Sequence, residues 1–172
     1  MTPSRYAFLT LPNYSLIAVS NAVEVLRMAN RVLGQDAYEW CIATLDGQPV
    51  LASSGLDLAP TIALDKIGKV EILFVCGGIN VREAVSAPLL TALKRLAERR
   101  VGLGALCTGG YALARAGLLD NYRATIHWEN LPALRTRSST NCSDTSCATD
   151  KPCFNWMRFS MRSSGAVPPE AV

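Results

Sequence analysis

The residues best suited to chemistry are a cysteine that ends an apolar run and the one histidine of the chain. Cys107 follows residues 101–106 and precedes Thr108 and two glycines, and His127 lies 20 residues downstream. Such a run predicts a strand, a sharp turn and a helix, with the thiol presented where the helix begins. Exposed amides and the helix dipole stabilise a thiolate there, so Cys107 is a candidate nucleophile.

Backbone amides beside the thiol would complete such a site. The apolar run 71–76 ends in Gly77 and Gly78, where the backbone can approach a ligand closely. The prediction is that the amides of Gly78 and Thr108 face a developing oxyanion, with His127 as base or orienting group. The alternative is a small buried cysteine and a structural histidine, which is the default for an arbitrary pair. The position of Cys107 at the turn favours chemistry.

Alternating strands and helices must position these residues. The helices are predicted from Ser15, a candidate N-cap, to the stop at Gly34, and over 87–100. The strands are predicted over 6–11, 38–45, 71–76 and 101–106. This alternation indicates βαβ units around a parallel sheet, in which ligands lie beyond the carboxyl ends of the strands. The pair Asp46-Gly47 predicts a turn into an edge hairpin formed by the short pieces 49–51 and 56–58.

Composition narrows the class of protein. The 172 residues are 49% hydrophobic, which suits a single domain with a sizeable core, and the net charge of +3 is too small and scattered to indicate nucleic acid binding. We find no export signal and no apolar run long enough to cross a bilayer, so we expect a soluble cytoplasmic protein without a membrane partner. The six cysteines are then expected to be reduced, and no cofactor is expected.

Five segments resemble the amidase-like sensing domain found at the N-terminus of AraC-type transcriptional regulators. This domain belongs to the class I glutamine amidotransferase-like, PfpI-related superfamily. The segments are 22–30, 74–78, 103–109, 114–120 and 124–130, the last of which contains Thr-Ile-His-Trp-Glu-Asn. The resemblance covers about residues 5–135.

The resemblance implies an α/β, flavodoxin-like three-layer sandwich with a mostly parallel sheet, usually dimeric, whose pocket beside the cysteine senses a small metabolite. In the subgroup with this signature the effectors are amino-acid-like or quaternary ammonium compounds. Aromatic faces and carboxylates bind such cations, which makes Tyr111, Trp128 and Glu129 candidate ligand contacts beside Gly77. The alternative is that Trp128 packs in the core and Glu129 is solvated.

Enzymes of the superfamily use the same cysteine to hydrolyse, hydrate or rearrange small carbonyl compounds. In them an acid on the first helix tunes the thiol, six residues before the acid that matches Glu24, and Ala18 stands at that position here. The chain is therefore predicted to be a non-catalytic sensor. The alternative is a cysteine-dependent hydrolase or hydratase of small amide or carbonyl compounds. Glu24 is a weaker site candidate, since a structural or solvated role suits it as well.

The chain changes character after residue 135, which divides it into a domain over 1–135 and an atypical tail over 136–172. The tail has no apolar period and is predicted to be loop-like or disordered, apart from an apolar patch at 154–159 that would cover a sheet edge or stay loose. Relatives continue here with further strands, a helix and a helix-turn-helix domain. These parts are predicted to be absent here, and without the helix-turn-helix domain the chain is not expected to bind DNA by itself. A shifted reading frame would explain the change, and translating the other frames tests it.

The cysteines of the tail do not form a convincing metal site. With His127 they could be read as a metal cluster, but Cys142, Cys147 and Cys153 are separated by five and six residues, unlike the closely paired ligands of zinc sites, and no second tight pair exists. No metal is therefore expected.

Overall fold

The computed structural model describes residues 2–59, 61–120 and 157–159 of the chain. Four helices are present in these ranges: α1 (Leu16–Leu33), α2 (Val81–Ala84), α3 (Ala87–Glu98) and α4 (Gly110–Arg115). The strands are β1 (Ser4–Thr10), β2 (Tyr38–Thr44), β3 (Thr61–Ala63), β4 (Ile72–Cys76), β5 (Gly102–Leu106) and β6 (Met157–Phe159). Two short 3₁₀ turns cover Leu64–Lys66 and Cys107–Gly109.

The six strands form one sheet in the order β3-β2-β1-β4-β5-β6. All neighbours run parallel except β6, which is antiparallel to β5. The predicted mostly parallel α/β sheet is thereby confirmed. The chain order reverses between β1 and β4, which is the switch point where ligands usually bind in sheets of this type.

Helices cover both faces of the sheet and give the molecule two apolar cores. On one face Leu9 of β1 packs in a cluster with Leu93 of α3 and Leu113 of α4. On the other face Phe8 packs in a cluster with residues of α1 that include Leu26. Because neighbouring residues of a strand point to opposite faces, the near-continuous apolar strands supply both cores, and three layers result.

The helix boundaries follow local signals in the sequence. Ser15 is the N-cap of α1 as predicted, and Gly34 ends it with φ +66, a left-handed conformation that glycine adopts without strain. At the start of α3 the Ser86 hydroxyl accepts a hydrogen bond from the Leu89 amide at 3.4 Å. None of the described helices has the length and hydropathy needed to span a membrane.

The hairpin predicted after β2 is wrong. The turn itself forms, since Gly47 has φ +86 and the Gln48 amide bonds to the Asp46 carboxylate. The pieces 49–51 and 56–58 form no strands, although the loop closes locally where the Ala52 amide donates to Leu56 O. The same loop bonds to the turn after β1, where the Asn13 amide donates to Leu51 O. The chain then enters β3, which runs parallel to β2. Bonding of the loop to the turn after β1, and parallel pairing of β3 with β2, thus replaced the hairpin that the Asp46-Gly47 turn predicted.

One strand of the tail is described. Residues 157–159 pair with Leu103, Gly104 and Ala105 of β5, so this part of the apolar patch 154–159 covers a sheet edge. The rest of 136–172 lies outside the described residues. The prediction that the usual C-terminal strands and helix are missing falls on the same residues. The boundary at residue 135 therefore stays a prediction.

Candidate functional site

Cys107 lies at a sharp turn between β5 and α4. Its φ of +54 is left-handed, which is unfavourable for a residue with a side chain by about 1–2 kcal/mol. The surrounding structure must impose this conformation, and such strain concentrates at functional positions. The predicted strand, turn and helix are all present, with the thiol partly exposed at the carboxyl edge of the sheet.

Glycines allow three turns to meet at this edge. A Cβ atom on Gly78 would overlap Asn13 O, and one on Gly109 would overlap Val75 O. A Cβ on Gly77 would lie 2.6 Å from the Gly109 nitrogen. These glycines are therefore required for backbone packing, whatever further role they have toward a ligand.

The crevice at the switch point is closed by backbone. Tyr14, after β1, forms a bridge with Gly78, after β4. In this bridge the Ser15 amide donates to Gly77 O at 3.0 Å and the Ile79 amide donates to Asn13 O at 3.1 Å. A ligand at this edge therefore has no place between these two turns, and the Cys107 turn beside them is the remaining candidate.

The Cys107 turn is tied to the Gly77-Gly78 turn as well. The Thr108 hydroxyl donates to Gly78 O at 2.7 Å, and the Gly77 amide donates to Leu106 O at 3.2 Å. Thr108 is 2% exposed, and the first of these bonds is partly shielded from water. The structure thus brings together four of the predicted site residues: Gly77, Gly78, Cys107 and Thr108.

Two groups near the site carry no signal in the sequence that marks them as part of it. Cys76, the last residue of β4, is fully buried, and burial followed by the nearby Cys107 raises the pKa of its thiol far above the usual range. Tyr14 is also fully buried, and burial raises the pKa of its phenol, with further contributions from Asp57 and Cys76. The segment Pro12-Asn13 predicts only a turn, so the burial of Tyr14 could not be anticipated.

Tyr111, a predicted ligand contact, lies on α4 and is 5% exposed. Its hydroxyl accepts a hydrogen bond from Arg115 Nη1 at 3.1 Å, and the guanidinium carbon lies 5.9 Å from the ring centroid. The cation–π partner of this ring within the described structure is therefore a residue of the chain itself.

Glu24, the weaker candidate, lies on the exposed side of α1. Its carboxylate accepts two hydrogen bonds from Arg27, at 2.8 and 2.6 Å, which hold its pKa below the usual range. Ala18, one and a half turns earlier, packs against the apolar cluster beneath the helix. This placement of Glu24 matches the solvated alternative considered above.

The remaining predicted site residues lie outside the described ranges: His127, Trp128 and Glu129, together with Cys142, Cys147 and Cys153 of the tail. Within the ranges that are described, no three His, Cys, Asp or Glu side chains are grouped as metal ligands would be.

A shallow groove of about 430 Å³ lies elsewhere, at the amino end of β5. It is lined by Lys94, Ala97, Glu98, Arg100, Ala116 and Leu118. Since Cys107 follows the carboxyl end of the same strand, this groove is separate from the candidate site.

Comparison with known proteins gives a family and a fold. A family model described as "DJ-1/PfpI family" matches residues 5–154. The crystal structure of an AraC family transcriptional regulator from Pseudomonas putida superposes with a TM-score of 0.71 and 34% identity, over 79% of this chain and 73% of that one. The predicted flavodoxin-like α/β fold is thereby confirmed.

Two curated relatives indicate two kinds of protein. The HTH-type transcriptional regulator GbdR of Pseudomonas aeruginosa is 44% identical over 133 residues, which are 77% of this chain and 36% of GbdR. The isonitrile hydratase of Pseudomonas putida is 33% identical over 81 residues, 46% of this chain and 36% of that enzyme. The chain thus spans about a third of the length of these relatives.

Proposed function

This chain belongs to the DJ-1/PfpI family, and we propose on that premise that it is the small-molecule-sensing domain of an AraC-type transcriptional regulator. The observation that carries the proposal is the 44% identity with an HTH-type regulator over 133 residues that include the whole Cys107 turn. The solved AraC family regulator of similar fold supports it.

The residue at the sixth position before Glu24 favours sensing over catalysis. Ala18 supplies no carboxyl group with which the Cys107 thiol could share a proton. Without that partner the turn still offers a thiol and backbone amides at a partly exposed position, where such groups can contact a ligand. We therefore assign Cys107 to the binding of an effector in the cytoplasm, without a cofactor.

The proposed effector is an amino-acid-like or quaternary ammonium compound. In this proposal the amides of Gly78 and Thr108 contact its oxygen atoms, while His127, Trp128 and Glu129 contribute an orienting group, an aromatic face and a negative charge. Calorimetric titration of the chain with betaine, carnitine and arginine tests this ligand class. We expect saturable heat with one of the three and its loss in Trp128→Ala, whereas flat traces with all three would reject the class.

We also propose that the chain forms a homodimer through α1. Four apolar side chains lie on one exposed stripe of this helix, and two of them are among the most exposed of the chain, Ile17 at 73% and Val32 at 81%. The other two are Val25 and Met28. Because an α-helix has about 3.6 residues per turn, these positions fall on one side, and a second copy of the helix would cover them.

DNA recognition is not assigned to this domain. The match to GbdR covers 36% of that regulator, and we propose that groove recognition belongs to its other part. A gel-shift assay with this chain alone is expected to show no sequence-specific band, and a specific band would contradict the assignment.

The alternative is a cysteine-dependent hydrolase or hydratase of small amide or carbonyl compounds. The strained Cys107 turn and the similarity to an isonitrile hydratase favour it. Turnover of small amides or isonitriles, lost in Cys107→Ala and accompanied by alkylation of Cys107 that persists below neutral pH, would establish the enzyme. Absence of turnover together with effector binding would establish the sensor.

A further inference from the structure

The Thr108 hydroxyl makes a hydrogen bond that the backbone of the Cys107 turn does not need in order to form. Its hydroxyl reaches across from the Cys107 turn to Gly78 O at 2.7 Å. The bond connects two turns that are 30 residues apart in sequence, and it is partly buried. A valine of nearly the same shape would fill the space but could not make it.

Three hydrogen bonds fix the orientation of the two peptides that flank Gly78, and the first acts on the peptide between Gly77 and Gly78. Ser15 N–H bonds to Gly77 O, on the side of β1. In a trans peptide the N–H points opposite to the C=O, so the Gly78 amide points away from β1. Because β4 lies between β1 and β5, that direction is toward β5 and the Cys107 turn.

The next peptide is held in the opposite sense. Gly78 O accepts from Thr108 on the β5 side, and the Ile79 amide bonds to Asn13 O on the β1 side. Glycine has an unusually wide choice of backbone conformations, so this turn would otherwise be free to flip its peptides. Among the described residues the Gly78 amide donates to no protein acceptor.

We propose that the Thr108 hydroxyl is a positioning group, which holds the Gly78 amide toward Cys107 so that this amide binds a carboxylate oxygen of the small molecule. The inference rests on the proposed function only in taking that molecule to be amino-acid-like. A carboxylate fits because a fixed N–H donor makes its strongest hydrogen bonds with a charged oxygen. The Thr108 amide, in the turn that starts at Cys107, is the second donor.

Selective alkylation of Cys107 tests this proposal without a natural effector. Iodoacetate and iodoacetamide transfer groups of similar size, and in each case the thiolate sulfur bonds to the methylene carbon while iodide leaves. Only iodoacetate carries a carboxylate for the Gly78 amide. The rate of each reaction is measured on the full chain by mass spectrometry of the peptide that contains Cys107, which separates it from the other cysteines.

We expect Thr108→Val to lower the ratio of the iodoacetate rate to the iodoacetamide rate about tenfold. Loss of a whole donor costs about 10²- to 10³-fold in an oxyanion hole, and here the donor is misaligned, not deleted. Thr108→Ser keeps the hydroxyl and should keep the wild-type ratio. Thr108→Ala provides a second variant without the hydroxyl if the valine does not fold.

The ratio separates positioning from a purely structural role. A general disturbance of the Cys107 turn changes both rates and leaves their ratio unaltered, and that outcome would overturn the proposal. So would a serine variant that behaves like the valine one. Flat calorimetric traces would reject the effector class, yet they would leave this result standing, so the two failures are distinguishable.

Discussion

At the scale of residues, two cysteines at the carboxyl ends of adjacent strands have very different environments. Cys76 pairs with Leu106, the last residue of β5, and Cys107 follows directly in the turn after that strand. Cys76 is fully buried and its pKa is strongly raised, whereas Cys107 is partly exposed at the strained turn. The sulfur that can meet a ligand is therefore Cys107, and Cys76 is a buried apolar neighbour.

The burial of Cys76 makes stability depend on alkaline pH. In the unfolded chain its thiol ionises near pH 8.5, while in the folded chain it stays protonated, so the unfolded state loses its proton first. The free energy of unfolding should therefore fall as pH rises above about 8.5, by up to about 1.4 kcal/mol per pH unit from this group. Denaturant unfolding of wild type and Cys76→Ala between pH 8 and 10.5 should show a shallower fall in the variant.

Cys41 provides the matched control for this pH series. Burial raises its pKa too, but Arg5 acts in the opposite direction and the side chain is only half-buried. Cys41→Ala should thus change the slope less than Cys76→Ala does. Equal slopes in wild type and Cys76→Ala would show that the buried thiol does not control the alkaline loss.

The residues of the turn could be predicted from sequence, and their surroundings could not. Small residues after an apolar run mark Gly77, Gly78 and Cys107, because a sharp turn at a strand end excludes larger side chains. The buried state of Tyr14 depends on the loop that contains Ala52, with which it forms a bridge. Such a contact between distant segments leaves no local pattern.

At the scale of elements, the candidate site consists of three turns held together by backbone contacts. The turns follow β1, β4 and β5, which are neighbours in the sheet though far apart in sequence. Gly78 is at the centre, since it contacts the turn after β1 and bonds to the turn after β5. The packing of these turns should therefore be sensitive to a single methyl group at Gly78.

We expect Gly78→Ala to lower the free energy of unfolding by about 1–3 kcal/mol, because its Cβ would overlap the carbonyl oxygen of Asn13. Gly55→Ala is the control. Gly55 has φ +81, so alanine is strained there, but nothing lies within 4 Å of the added carbon. Urea unfolding of both variants measures the difference, and a loss in Gly78→Ala no larger than that in Gly55→Ala would show that the overlap at Gly78 is relieved by a small shift of the backbone.

Elements with their own start and stop signals were predicted closely, and those set by distant pairing were not. Helix α1 (Leu16–Leu33) lies between Ser15 and Gly34 as the sequence indicated, because a left-handed glycine ends a helix through its own local conformation. The hairpin after Asp46 failed for the opposite reason. Its turn formed, but the hydrogen bond from Asn13 to Leu51 O drew the loop toward β1.

At the scale of the whole molecule, the exposed stripe of α1 is the surface through which the proposed homodimer would form. Val32→Glu places a charge at its most exposed position, which is 81% exposed, and should shift the proposed dimer toward monomer by at least tenfold in dissociation constant. Sedimentation of both proteins across a concentration series measures the shift.

Leu56→Glu is the control for this experiment. Leu56 is also exposed, at 60%, but it lies in the loop between β2 and β3 and not on the stripe. It should leave the association unchanged. A wild-type chain that stays monomeric at every concentration would reject the α1 dimer.

Ser15 gives the α1 stripe a direct connection to the candidate site. Ser15 is the N-cap of α1, and its amide donates to Gly77 O. That carbonyl belongs to the same peptide group as the Gly78 amide. A ligand oxygen bound to the Gly78 amide and a second copy of α1 packed on the stripe would therefore both act on the hydrogen bond between Ser15 and Gly77. Linkage then requires reciprocity: whatever factor a ligand adds to dimer affinity, dimerisation adds to ligand affinity.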